Sequence, residues 1–153
     1  MENNFAKKLI EWYKINLRDL PWRKTNDPYK IWVSEIILQQ TRIDQGTPYY
    51  LSFINKFPNV KKLSESTLDE LMKVCQGIGY YNRIVNMHKC AKIVVIEYNS
   101  NFPTKYSELI KLPGIGDYTA SAISSICSGE SKMVVDGNVI RLFSRLYNLN
   151  YQQ

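Results

Sequence analysis

The stretch Leu112-Pro113-Gly114-Ile115-Gly116-Asp117-Tyr118-Thr119-Ala120 decides how the rest of this chain reads. A Pro-Gly-x-Gly turn opening a small-residue helix leaves several backbone N–H groups unpaired at a helix N-terminus, where they can hold a phosphate without any side-chain charge. Gly114 and Gly116 let that anion come close to the backbone. The alternative is a helix–helix corner that binds nothing. Ala120, Ser121 and Ala122 permit tight packing after the turn, and amide-only phosphate contacts position a protein on a nucleic acid without reading its sequence.

Working outward, Asp136-Gly137-Asn138-Val139 reads as a second helix start. By default Asp136 is an ordinary N-cap worth about 1 kcal/mol. In the functional reading it is a carboxylate near a sugar, able to stabilise positive charge as a glycosidic bond breaks. Glu35 sits inside the apolar run Ile31-Trp32-Val33-Ser34-Glu35-Ile36-Ile37-Leu38. Burial there would raise its pKa and make it a general acid near neutrality, while a Glu that merely faces water fits the helix geometry equally well. Gln39, Gln40 and Thr41 follow at the helix end, with amides suited to base edges or to the space a displaced base leaves, or simply to a C-cap. Tyr80-Tyr81, after Gly77-Ile78-Gly79, and Trp22 could stack on bases or belong to the core, and Asn82 and Arg83 continue that loop toward a phosphate contact. His88, the single histidine, has no partner at ligand spacing and reads as structural.

The 153 residues suit one domain with one core, and 44% apolar against 22% charged residues argues for a globular protein. Apolar runs such as Ile31 to Leu38 and Ile93 to Ile96 fall short of the roughly 20 residues a bilayer requires. Met1-Glu2-Asn3-Asn4 has no signal-peptide character, so a cytoplasmic protein is expected. A formal charge of +6 attracts polyanions but is common among proteins that bind none. Cys75, Cys90 and Cys127 are spaced neither as a metal cluster nor as a disulfide framework and are expected as reduced core thiols.

Helical periodicity and caps predict an all-α bundle of short helices. Asn3 or Asn4 would cap a first helix carrying Phe5, Leu9, Trp12, Tyr13 and Ile15, ended by Leu20-Pro21-Trp22. Pro28 would open a second through Leu38, followed by helices over 47–55, from Ser66 or Thr67 to near Gly77, over 80–99, 106–110 and 118–128, and from Gly137 to about Tyr147.

Taken together, Leu-Pro-Trp-Arg at 20–23, Pro-Tyr-Lys-Ile-Trp-Val-Ser-Glu-Ile-Ile-Leu-Gln-Gln-Thr at 28–41, Gly-Ile-Gly-Tyr-Tyr-Asn-Arg at 77–83, the Pro-Gly turn at 112–120 and Val-Asp-Gly-Asn-Val at 135–139 resemble the helix-hairpin-helix DNA glycosylases. Within that superfamily the chain looks most like the MutY-type adenine DNA glycosylases, which excise adenine mispaired with 8-oxoguanine or guanine after flipping it from the duplex. The resemblance implies that Glu35 protonates adenine and Asp136 stabilises the oxocarbenium-like sugar. It implies that Gln40 and Tyr80 enter the base stack, that Trp22, Arg23 and Leu38 line the base pocket, and that Gln39, Gly114, Gly116 and Asn138 face DNA. Tyr118 stands where combined glycosylase–lyases carry a lysine able to form a Schiff base, so a monofunctional enzyme leaving an abasic site is expected.

The same resemblance implies a monovalent-cation site built from the carbonyls of Ile110, Leu112 and Ile115, and a mismatched duplex as partner of a monomer. It divides the single domain 1–153 into a helix of an incomplete second lobe (1–19), a helical barrel (20–136) and the start of a return to the second lobe (137–153). MutY relatives continue into helices whose four cysteines bind a 4Fe–4S cluster. Those ligands are absent from this chain, and Cys75, Cys90 and Cys127 fall on barrel positions. The expectation is therefore a chain truncated before the cluster region, with apolar surface exposed around Phe5, Leu9 and Trp12. Three alternatives stay open: a non-catalytic DNA-binding remnant, a purely structural helical module and, within the superfamily, a thymine mismatch glycosylase.

Overall fold

The computed structural model describes residues 2–79 and 81–149, and every regular element among them is helical. In chain order these are α1 (Glu2–Asn16), a single 3₁₀ turn (Pro21–Arg23), α2 (Pro28–Ile37), α3 (Ile43–Lys56), α4 (Val60–Glu65), α5 (Leu68–Val74), α6 (Tyr81–Glu97), α7 (Tyr106–Leu109), α8 (Asp117–Ser128) and α9 (Gly137–Leu146).

Local chemistry sets most of these boundaries. Asp27 Oδ1 accepts from the Tyr29 N–H at 3.0 Å and Pro28 occupies the first turn of α2, where its missing N–H costs nothing. Thr67 and Glu70 form a reciprocal capping box at the start of α5. Gly129 ends α8 in the left-handed conformation, φ 68°.

Three expectations are corrected. α1 is already helical at Glu2, so Asn3 and Asn4 lie within it instead of capping it. α3 begins at Ile43, not near Thr47, and carries Pro48 inside it. The Thr47 hydroxyl donates to the Ile43 carbonyl at 2.6 Å, and burial of Tyr50 and Phe53 on the same helix outweighs the one backbone bond that proline removes. α4 was not expected at all. Six residues are too few for a periodic signal, yet Asn59 Oδ1 accepts from the Lys62 N–H at 2.9 Å and Val60 and Leu63, three apart, are buried on one face.

The core is assembled around α2, which packs on α3 and α8. Its Val33 and Ile37 are fully buried, as are Phe53 of α3, Leu71 of α5, Ile84, Cys90, Ala91 and Val94 of α6 and Ile123 of α8. Trp32 stacks obliquely on Phe102 at 4.8 Å, and the Tyr29 hydroxyl donates to the Phe57 carbonyl at 2.7 Å, tying α2 to the end of α3. α1 and α9 lie outside this core. They meet edge-to-face through Phe5 and Phe143 at 6.2 Å, and α9 has no buried residue. Leu9 and Trp12 are accordingly exposed, 46% and 59%, whereas Phe5 is half-buried against Phe143.

The two regions should respond differently to truncation. Phe53→Ala empties a fully buried site and is expected to cost about 3–5 kcal/mol in urea unfolding. Leu9→Ala on the exposed face of α1 should stay within about 0.5 kcal/mol of the parent.

Candidate active site

α2 is covered on nearly every side. Tyr29, Ile31 to Ser34, Ile36 and Ile37 are all buried, and Glu35 occupies the gap between them. There it faces a cavity of about 430 Å³, within the range of small-molecule sites. The far walls come from Tyr13 and Leu17 at the end of α1, Trp22 and Arg23 of the 3₁₀ turn, and Ile126 of α8. Trp22 is held edge-to-face on Tyr50 at 5.2 Å, and the Arg23 guanidinium lies 5.6 Å from the Tyr13 ring centroid. Thr25, Asn26 and Ser34 add polar groups. Burial pushes the Glu35 carboxyl above the ordinary carboxylate range, so the protonated form persists to higher pH than at the surface.

Asp136 is the opposite case. Its Oδ1 accepts from the Asn138 N–H at 3.0 Å and the Val139 N–H at 2.8 Å, and its Oδ2 accepts from Asn138 Nδ2 at 2.9 Å. The backbone bond from Val139 lowers its pKa most, and the Asn138 bonds act in the same direction, so Asp136 stays ionised. Asn138 passes the network on by accepting from Arg141 Nη2 at 2.9 Å.

Tyr118 lies in the first turn of α8. Its phenol pKa is raised first by burial, then by the charges of Glu35 and of Asp136. Neither Tyr118 nor Asp136 lines the cavity that Glu35 faces. At the hairpin, Gly114 has φ +77°, and a Cβ there would stand 2.8 Å from Asn86 Cβ, so the turn abuts α6. Gly116 is the N-cap of α8, supplies no side-chain cap and has open space where a Cβ would point. The Tyr106 hydroxyl donates to Asp117 Oδ1 at 2.6 Å, and the Leu112 carbonyl accepts from the Ile115 N–H at 3.1 Å to close the turn.

Not every expected residue joins the cavity. Leu38 does not line it: at the C-cap of α2 the chain turns and the side chain lies over Gly46, where an added Cβ would come within 2.7 Å of Leu38 Cδ2. Gln39 and Gln40 are exposed in a separate hollow with Asn82 and Arg83. Arg83 is turned inward onto backbone carbonyls and not toward a phosphate. Tyr80 lies outside the described residues. Sequence reasoning missed the lining contributed by Tyr13, Leu17, Thr25, Asn26 and Ile126. The usable signal was the proximity of Thr25 and Asn26 to Trp22 and Arg23 in the chain.

Among the described residues, no three His, Cys, Asp or Glu side chains come together as a metal site. Burial raises the Cys75 and Cys127 thiols to about 11 and Cys90 to about 12. No helix among the described residues is long and apolar enough to cross a membrane.

Residues 33–153 match the HhH-GPD superfamily of base excision DNA repair proteins. The chain is 44% identical to an adenine DNA glycosylase of Buchnera aphidicola subsp. Schizaphis graminum (strain Sg), over 95% of this chain and 42% of that protein. It is 39% identical to an adenine DNA glycosylase of Arabidopsis thaliana, over 90% of this chain and 26% of that one. The chain thus spans less than half the length of either relative. Its fold superposes on a thermostable thymine-DNA glycosylase with a TM-score of 0.86 at 27% identity, covering 93% of this chain and 66% of the other.

The two carboxylates should titrate in opposite directions. For Glu35 the folded pKa lies above the unfolded one, so its ionisation weakens the fold as pH rises from the usual carboxylate range through the raised value. Glu35→Gln should be more stable than the parent at pH 7, with the difference vanishing below pH ~4. For Asp136 the folded pKa is depressed, so its contribution is present above the usual range and lost as pH falls through the folded value. Asp136→Ala should cost about 1 kcal/mol at neutral pH and less in acid. Urea unfolding across pH, with carboxyl NMR of both residues, checks both signs.

Proposed function

The chain belongs to the HhH-GPD superfamily of base excision DNA repair proteins, and from that premise we propose that it is the catalytic lobe of an adenine DNA glycosylase. One observation carries the reading: Glu35, held toward its neutral form by burial, opens on a cavity walled by Trp22 and Arg23, while hydrogen bonds hold Asp136 ionised at the head of α9. Pairs of acids whose surroundings push their pKa values apart divide acid and charge-stabilising roles between them.

In this mechanism the extruded adenine enters the cavity between Trp22 and Glu35, with Arg23 at its rim. Glu35 donates its proton to a ring nitrogen. The C1′–N bond breaks, its electron pair leaves with the base, and the adenine departs neutral. Asp136, ionised, stabilises the positive charge that develops on the sugar. Water then adds to C1′ and returns a proton to Glu35, leaving an abasic site. Tyr118 has no amine and forms no Schiff base, so no strand is cut.

The duplex backbone is held by the uncapped amides at the start of α8, with Gly114 and Gly116 allowing the approach. A monovalent cation at the hairpin would take the carbonyls of Ile110, Leu112 and Ile115 as its oxygen donors. Gln40 and Tyr80 fill the space vacated by the base, and Gln39 and Asn138 lie on the DNA-facing side. We take residues 1–19 and 137–153 as parts of a second lobe, 20–136 as the barrel, and the protein as a cytoplasmic, DNA-associated monomer acting on adenine opposite 8-oxoguanine or guanine. The stronger likeness to adenine enzymes, 44% identity against 29% for a thymine/uracil-DNA glycosylase of Pyrobaculum aerophilum, supports adenine as the target.

Release of free base from a duplex with adenine opposite 8-oxoguanine tests this. Wild type should liberate adenine, Glu35→Gln should be slower by about 10²–10⁴-fold, and borohydride should trap no covalent adduct. The rate should fall as pH rises through the raised Glu35 pKa, where the acid is lost. Release of thymine from a mismatch, and not adenine, would transfer the chain to the thymine enzymes. Binding without any base release would make it a DNA-binding module.

A further inference from the structure

Two turns are joined by one side chain, Arg83, which with Gln39, Gln40 and Asn82 lines a hollow of about 360 Å³. One follows the C-terminus of α2, where Gln40 adopts a left-handed backbone conformation at φ 57°. The other is Gly77-Ile78-Gly79, with both glycines at positive φ. A left-handed glutamine persists only where its surroundings over-determine it. The Arg83 guanidinium supplies that constraint. Nη1 donates to the Gln39 carbonyl at 2.6 Å and to the Ile36 carbonyl at 3.1 Å, and Nη2 donates to the Ile78 carbonyl at 3.0 Å. One planar fork therefore bridges both turns and lies at the negative end of the α2 dipole. An ammonium is a single point of donors on a flexible stem and does not reproduce this span.

We propose that Arg83 is a positioning residue that clamps these two turns in register. It thereby aims Gln40 at the duplex and fixes the end of the helix that carries Glu35. The proposal assigns no phosphate contact to Arg83, and its consequence for base extrusion rests on the glycosylase reading above.

The test compares wild type, Arg83→Lys and Arg83→Gln on a duplex with 2-aminopurine in place of the target adenine opposite 8-oxoguanine. Binding is measured against salt concentration, and unstacking from 2-aminopurine fluorescence in the complex. Both variants should keep the wild-type salt slope while losing about ten-fold of the fluorescence rise, lysine giving no rescue, because a misaimed wedge fails to extrude the base. Restoration by lysine, with a salt slope smaller by about one in the glutamine variant, would make Arg83 a phosphate ligand and overturn the proposal.

A measurement on the unmodified protein stands beside this. In free wild type the Arg83 Nη nitrogens should give separate NMR signals with slowed bond rotation, unchanged when duplex is added. A single averaged signal, or one that shifts on DNA addition, refutes the clamp whether or not the variants fold. If wild type binds no duplex, the glycosylase reading fails, and the guanidinium spectrum alone still decides whether Arg83 joins the two turns.

Discussion

The burial of α2 is the constraint on which the other features of the site rest. α2 is enclosed on most of its faces by α3, α8 and by Phe102, which packs on its Trp32; Lys30 and Glu35 are its charged side chains, and Glu35 is the one that opens on the cavity. Fully buried side chains such as Val33 and Ile37 each contribute about 1.5–3 kcal/mol. Several together outweigh the cost of keeping one carboxyl half out of water. The raised pKa of Glu35 is thus a consequence of packing, and any mutation that loosens α2 also moves Glu35 back toward an ordinary surface acid.

The hairpin follows a different rule. Nothing charged defines it; what matters is what is missing. Gly116 has no side chain to cap α8, and the carboxylate of Asp117 is drawn to the hydroxyl of Tyr106. Amides left without a side-chain cap offer a phosphate partners whose position is set by the helix axis itself. The same helix carries Tyr118 in its first turn, so the groups that would hold the backbone and the phenol that feels both carboxylates share one rigid support.

Much of this was legible in the sequence because caps are local. Thr67 and Asp136 act on amides two or three residues away and each marked a real helix start, as Pro28 did for α2. α3 begins at Ile43, a turn before the expected Thr47, and continues through Pro48 to the buried Tyr50 and Phe53, whose tertiary burial no local signal shows. α4 was too short to show a period. Leu38 and Arg83 were misread for a common reason: the direction of a side chain at a helix end depends on the neighbouring turn, here Gly46 and the carbonyls of Ile36, Gln39 and Ile78. The cavity that Glu35 faces is walled by α1, the 3₁₀ turn and α8, elements distant in sequence, and no local pattern encodes it.

The two carboxylates are also held with unequal rigidity. Glu35 is fixed by a core helix, whereas Asp136 heads a helix with no buried residue, whose Leu142, Leu146 and Tyr147 are about half exposed or more. Three hydrogen bonds orient the Asp136 carboxylate relative to α9, but they do not tie α9 to the barrel. Its aromatic link is the edge-to-face contact of Phe143 with Phe5, itself on a largely exposed helix. Electrostatic stabilisation of a developing cation depends steeply on distance when water is excluded. In the proposed reaction the packing of α9 therefore sets how effectively Asp136 would stabilise charge, while the proton on Glu35 is governed by the core. Burying the apolar side of α9 would stiffen one half of the site and leave the pKa of the other unchanged.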